Sequence, residues 1–354
     1  MIYKNKMDLS ELCNSYNTVN TILNTIDFNL LFKGFHKYRF ALYTSKEIII
    51  DGRLLPYQDG FIGNTSIFYQ GEYIAIWNIE SDPIDDPEKL AYCLIHEMFH
   101  CHQSANNDTR YPSDFELLNY PDDVENFVSK YNENRYLADA YERHDIELLR
   151  KFAYIRDIRY KIYPFMVRQE LKAETLEGMA EYIGLKALKL INAEKYRVVV
   201  NDYLGKLKAE SNLLFDVRRI SYFTGAIFSL CLEQFGFSVN NVFDSEKTVY
   251  EQNRPDITGV AAEIISYSFI SDKFEKLRQE KKAKVGEHIK HSEYIESDAF
   301  ISGYDPMNMF RYDGMIFCSY FVCINENGKV KTINSAVVLK LAEGSNRRIV
   351  GYYL

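Results

Sequence analysis

At Asp85-Asp86-Pro87-Glu88 the hydrophobic period of this chain changes, and that change limits what it can fold into. Before it, short runs rich in β-branched and aromatic residues (Tyr38 to Tyr43, Glu47 to Ile50, Ile67 to Gln70, Tyr73 to Trp77) are separated by turn signals at Asp51-Gly52, Asp59-Gly60 and Gly71. The opening quarter reads as a small sheet. After it, an acidic N-cap, a proline at the first helical position and Glu88 in the first turn lead into Leu90, Ala91, Leu94, Ile95, Met98 and Phe99. That spacing predicts a helix over about 87–102, and further helices are expected at about 122–150, 153–172, 174–192 and 217–235.

A third regime follows residue 240. The stretch Lys273 to Lys290 alternates in sign and reads as a solvated helix, not a nucleic-acid surface. Met315 to Ile324 and Val330 to Leu341 read as strands joined around Asn327-Gly328, a strong hairpin signal, and Arg347 to Tyr353 adds a further strand. There is no internal repeat. The expected fold class is α+β in three parts: a strand-rich 1–85, a helical 86–240 carrying the chemistry, and a 241–354 part with one helix and further strands.

A chain of 354 residues can bury roughly three quarters of its extended surface, so it needs no disulfide or metal merely to hold a core. Any metal is then free to do chemistry. With 42 Lys+Arg against 50 Asp+Glu the formal charge is -8, which argues against nucleic acid as a partner. The six cysteines include no CxxC pair and are expected to be reduced thiols. Met1 to Ser10 has no apolar leader core ahead of Asp8 and Glu11, and nowhere do about 18 apolar residues run together. The expectation is a cytoplasmic protein with no membrane partner.

His96-Glu97-Met98-Phe99-His100 is an HExxH motif inside the capped helix. Two imidazoles four residues apart share one helix face and can grip one zinc ion, with Glu97 beside it as general base. With only seven histidines in the chain, independent placement would produce about 0.01 such motifs. A hydrolytic zinc site needs a third protein ligand and leaves the fourth position for water. A metzincin would supply it as a histidine six residues after His100, with a glycine three after it, but those places hold Asn106 and Gln103.

Thr175-Leu176-Glu177-Gly178-Met179-Ala180-Glu181-Tyr182 resembles the third-ligand helix of the gluzincins, the superfamily of thermolysin-like and alanyl-aminopeptidase-like zinc peptidases. The resemblance implies Glu177 as third ligand of a single Zn²⁺. It implies that Glu181, one turn on, accepts the outer N–H of a ligating histidine, as in the thermolysin-like arrangement. Glu116 is the rival ligand and has no supporting pattern. Ser221-Tyr222-Phe223-Thr224-Gly225 and the apolar helix it opens resemble the tyrosine helix of the alanyl-aminopeptidase-like group, which implies that Tyr222 steadies the oxyanion. Phe223-Thr224 departs from that group, which usually has a charged pair including lysine there. The three segments appear in the superfamily's order across about 86–236.

The function this implies is a zinc metallopeptidase acting on a peptide or protein: Glu97 takes a proton from water and returns it to the leaving amine. In the superfamily the peptide pairs with an edge strand ahead of the metal helix, and Gly71 to Trp77 is the candidate. No G-x-M-E-N segment is present, so an aminopeptidase preference is unsupported. Two other readings stand beside it: an inactive gluzincin-like binding module, and a zinc hydrolase of a small non-peptide amide or epoxide. The polar helical stretch 105–173 either covers a cleft or is a structural insertion. His36, His102, His144, His288 and His291 have no ligand spacing, Cys101 is read as packing, and the oligomeric state is open.

Overall fold

The computed structural model describes residues 9–354, so the reading of the first eight residues lies outside it. The fold is mixed α+β with two sheets. It opens with α1 (Leu9–Leu23) and α2 (Phe28–Leu31), which the sequence reading did not anticipate. Leu12, Tyr16, Val19 and Leu23 bury one stripe of α1 at spacings of three and four.

The first sheet comprises β1 (Phe40–Tyr43), β2 (Glu47–Ile50), β3 (Arg53–Pro56), β4 (Thr65–Tyr69) and β5 (Glu72–Asn78), in the order β3-β2-β1-β5-β4. The hairpin β4–β5 turns at Gln70 (φ 52°) and Gly71 (φ 92°), the left-handed pair whose twist matches the strands it joins. Strand β1 is buried along its whole length and takes partners on both sides, pairing in parallel with β5 so that Leu42 faces Trp77. This corrects the edge-strand expectation. Gly71 to Trp77 falls largely in β5, an interior strand, and the free edge beside it is β4.

The helical part runs α3 (Pro87–Ala105), α4 (Asp114–Leu117), α5 (Val124–Arg143), α6 (Ile146–Ile162), α7 (Pro164–Ala173), a π turn (Glu174–Gly178), α8 (Met179–Ile191), α9 (Ala193–Lys208), α10 (Val217–Gln234), α11 (Val249–Gln252) and α12 (Ser268–Lys290). The helix expected over 122–150 breaks at His144, whose left-handed φ of 53° cannot continue a helix, and Asp145 restarts it by accepting from the Glu147 amide at 2.8 Å. Pro164 divides the one expected over 153–172. Helix α9 was not expected; Tyr196, Val200, Tyr203, Leu204 and Leu207 form its buried face.

One hydrophobic cluster extends from Leu12 to Tyr250, joining α1, the first sheet, α3, α8, α9 and α10 across residue 85. The second sheet comprises β6 (Tyr294–Tyr304), β7 (Met309–Tyr312), β8 (Met315–Cys318), β9 (Val322–Glu326), β10 (Lys329–Ile333), β11 (Val337–Leu341) and β12 (Arg348–Tyr353). It is antiparallel, in the order β10-β9-β6-β12-β11-β8-β7, and the β9–β10 hairpin turns at Asn327 and Gly328. Each of the two expected strands around that turn is in fact a pair of short ones, and β6 and β7 were not foreseen. Phe115 of α4 inserts into the core of this sheet. All six cysteines are free, and among the described residues no helix is long and apolar enough to cross a membrane.

Candidate metal centre

Helix α3 begins with Asp86 accepting from the Glu88 and Lys89 amides, and Pro87 occupies the first turn where its missing N–H does no harm. From that start His96 and His100 fall on one face, with ring centroids 4.8 Å apart. Glu177 arrives from the π turn, and the chain can place it there because two glycines let backbones touch. A Cβ on Gly178 would stand 2.6 Å from Gly225 Cα of α10, and one on Gly225 would stand 2.8 Å from the Glu174 carbonyl oxygen. The glycines of the two motifs therefore have a packing cause.

His96, His100 and Glu177 converge as a group that could hold a metal ion. His96 Nε2 and His100 Nε2 are 3.1 Å apart, and Glu177 Oε2 lies 3.2 Å from His100 Nε2 and 3.6 Å from His96 Nε2. Three ligand atoms bound tetrahedrally to zinc at about 2.0–2.1 Å would stand about 3.3–3.4 Å from one another.

The tautomers agree with that geometry. The Gln103 amide nitrogen donates to the Thr175 carbonyl at 3.3 Å and to the Leu176 carbonyl at 3.1 Å, so its oxygen must be the atom 2.7 Å from His100 Nδ1. Nδ1 then carries the hydrogen, and the lone pair of a neutral His100 is on Nε2. His96 Nδ1 faces Glu181 Oε2 at 2.8 Å with the same consequence. The other Glu181 oxygen accepts from the Tyr203 hydroxyl, which meets the Tyr92 hydroxyl at 2.8 Å. Two imidazole lone pairs and a carboxylate oxygen thus point at one small volume, a donor set that fits a zinc ion.

Burial opposes charge on His100, but Glu177 overcomes it and raises His100 to about 9. Burial likewise acts against the ionised Glu177, yet His100, His96 and Arg218 hold it well below the usual carboxylate range. Glu97 is pushed up by burial, partly offset by the two imidazoles. Burial lifts Glu181 to about 7 against the Tyr203 hydrogen bond. The Tyr222 ring lies parallel to that of His96, centroids 5.8 Å apart, and burial followed by the Glu177 carboxylate raises its phenol well above the usual value.

The structure therefore gathers Glu97, His96, His100, Glu177, Glu181 and Tyr222 at one place. Glu116 is elsewhere, accepting from the Asn346 amide at 2.7 Å. Of the other histidines, His102 sits among Phe32, Phe35, Phe99 and Phe243, His36 stacks on Tyr38, and His288 meets the Tyr353 carbonyl. Cys101 is fully buried in the core.

Sequence reasoning missed Gln103, Tyr203 and Arg218. Arg218 reaches the outer oxygen of Glu177 at 3.0 Å and pairs with Asp114 of α4, which also accepts from Tyr304 of β6 at 3.2 Å. Gln103 and Arg218 had a local signal, since each lies one helical turn from a motif residue, His100 and Tyr222 respectively. Asp114 and Tyr304 had none. The 105–173 stretch touches the centre from behind: Arg156 clasps Glu174 of the π turn in two bonds of 2.7 Å and also pairs with Glu133, all fully or almost fully buried. Arg159 and Lys130 continue that network to Glu170.

No protein-family model, no curated protein and no solved structure matches this chain.

Proposed function

We propose that this protein is a zinc-dependent peptidase with a gluzincin-like arrangement, His96, His100 and Glu177 holding the ion. The observation that carries the reading is the convergence of the three ligand atoms at 3.1, 3.2 and 3.6 Å, with both histidines anchored through Nδ1. A structural zinc site usually has four protein ligands; this one has three and a buried glutamate beside them, the composition of a hydrolytic site.

A bound zinc ion supplies Lewis acidity that polarises a carbonyl and makes water acidic near neutrality. The protein's own groups do the rest. The Glu97 carboxylate takes a proton from the attacking water and delivers it to the leaving nitrogen, a task its burial-raised proton affinity suits. The Tyr222 hydroxyl donates to the oxyanion as it forms. Glu181 and Gln103 keep both imidazoles in the ligating tautomer, and Arg218 holds the outer oxygen of Glu177. Strand β4, the free edge of the first sheet next to α3, offers main-chain groups to an extended peptide.

Metal analysis after purification at neutral pH should find close to one zinc per chain. Glu97→Gln should keep that zinc and lose hydrolysis of a quenched peptide library, whereas His96→Ala or Glu177→Ala should lose the zinc as well. Metal-free protein after gentle purification, or hydrolysis surviving Glu97→Gln, would overturn the reading.

A further inference from the structure

Helix α12 carries most of its length in solvent, with only Ile270 and Val285 buried, yet one face of it has a destination. Phe274, Leu277, Lys281 and Lys284 recur at spacings of three and four, and all four line a cavity of about 1170 Å³. The opposite walls are the start of α10, the loop between α4 and α5, and the segment 306–313 around β7. Arg218 lines the cavity too, and the same guanidinium pairs with Glu177 at 3.0 Å. The cavity thus begins one side chain from the proposed ligand set.

Its charge is lopsided in a chain of net charge -8. Six cationic side chains line it against four aspartates. Three of the cations are spoken for: Arg218 by Asp114, Arg219 by Asp216 at 3.4 Å, and Arg278 by Asp122 at 3.8 Å. Lys281, Lys284 and Arg311 form no ion pair with any described residue; Arg311 bonds only the neutral amides of Asn119 and Asn346, and Lys281 lies 5.9 Å from the centre of the Phe310 ring. Between these cations stand Phe274, Leu277 and Phe310, giving a lining of positive charge interleaved with apolar surface.

We propose that this cavity receives an acidic segment of the substrate, in which carboxylate side chains alternate with apolar ones, and so selects acidic peptides for the metal centre; this rests on the peptidase reading above. The volume exceeds the roughly 300–1,000 Å³ of small-molecule sites and suits several residues of peptide. The unpaired cations supply the charge complementarity, and the aromatic and aliphatic groups between them supply contact area.

The test uses the full chain carrying Glu97→Gln and three fluorescein-labelled decapeptides that differ only in whether alternate positions hold Glu, Gln or Lys among Leu and Phe. Anisotropy at low salt should show the Glu peptide binding about tenfold or more tighter than the Gln peptide. Lys281→Glu with Lys284→Glu, both exposed positions, should abolish that difference, and Lys281→Met with Lys284→Met should reduce it. In the chain with native Glu97, the same pairs should lower kcat/KM for the Glu peptide by a larger factor than for the Gln peptide, and equal factors would overturn the charge selection. Equal binding of all three peptides, no binding of any, or insensitivity to the lysine changes would overturn the proposal. So would a single-stranded oligonucleotide displacing the Glu peptide at lower concentration than unlabelled Glu peptide does. Absence of zinc and turnover together with a retained acid preference would instead count against the peptidase reading while leaving the acidic-segment site standing.

Discussion

At the scale of single residues, the centre is organised by groups that touch the proposed ligands. Gln103 is the least conspicuous of them. Its oxygen faces His100 Nδ1 at 2.7 Å while its nitrogen ties α3 to two carbonyls of the π turn. Gln103→Leu removes both links at once. Zinc affinity, measured by competition with a chromophoric chelator, should fall about 10- to 100-fold, the usual consequence of losing a ligand's outer hydrogen bond. Gln103→Glu should recover only part of that loss, because a carboxylate accepts from Nδ1 but sets its second oxygen against the Thr175 and Leu176 carbonyls; affinity unchanged in Gln103→Leu would show that the tautomer is set in another way. The motif residues were readable because helical spacing is a local property: His96 and His100 had to share a face, and Glu181 had to follow Glu177 by one turn. That Glu181 would find His96 and not His100 was not readable, since it depends on the angle at which α8 crosses α3.

At the scale of elements, the π turn between α7 and α8 sets the third carboxylate. A single wide turn within a continuous helix shifts the face of every residue after it, and such turns collect at functional sites. The turn leans on α10 through Gly178 and Gly225, where there is no room for a methyl group. Gly178→Ala should therefore destabilise by about 1–3 kcal/mol in urea unfolding, against the slight gain that removing a helical glycine brings elsewhere. Gly205→Ala is the matched comparison: it is exposed in α9 with nothing within 4 Å of the new methyl, and should stabilise by up to about 1 kcal/mol. Equal effects at the two positions would refute the close-approach argument. The sequence shows a glycine one residue after Glu177 and another three after Tyr222, but not that they face each other. Breaks such as Tyr163-Pro164 were visible in the letters; the left-handed turn at His144 was not, because histidine adopts it only where the surroundings compensate.

At the scale of the whole molecule, three distant parts meet at the centre: α3, the π turn with α10, and Asp114 and Tyr304 behind Arg218. The core that holds α3 in place also contains an ionisable group excluded from water. His102 is held at about 4 by burial and then by the nearby His36, against about 6.5 in an unfolded chain. The folded state refuses a proton that the unfolded state accepts, so this contribution to stability is present above pH 6.5 and is lost as pH falls towards 4. Urea midpoints at pH 7, 5.5 and 4.5 should fall more steeply for the native chain than for His102→Leu, and parallel slopes would rule His102 out as the source. Legible in the amino-acid order was the local chemistry: a capped helix with two histidines on one face, an acidic pair one turn apart, and an α+β alternation of periods. Only the packing of distant segments placed β5 inside its sheet, set Arg218 against Glu177, and turned one face of a charged helix to a cavity beside the candidate metal centre. Spacing along a helix follows from backbone geometry within a few residues, whereas those three facts depend on contacts between segments far apart in the chain, 35 residues for β1 with β5 and 41 for Glu177 with Arg218, for which a single chain of letters carries no distance.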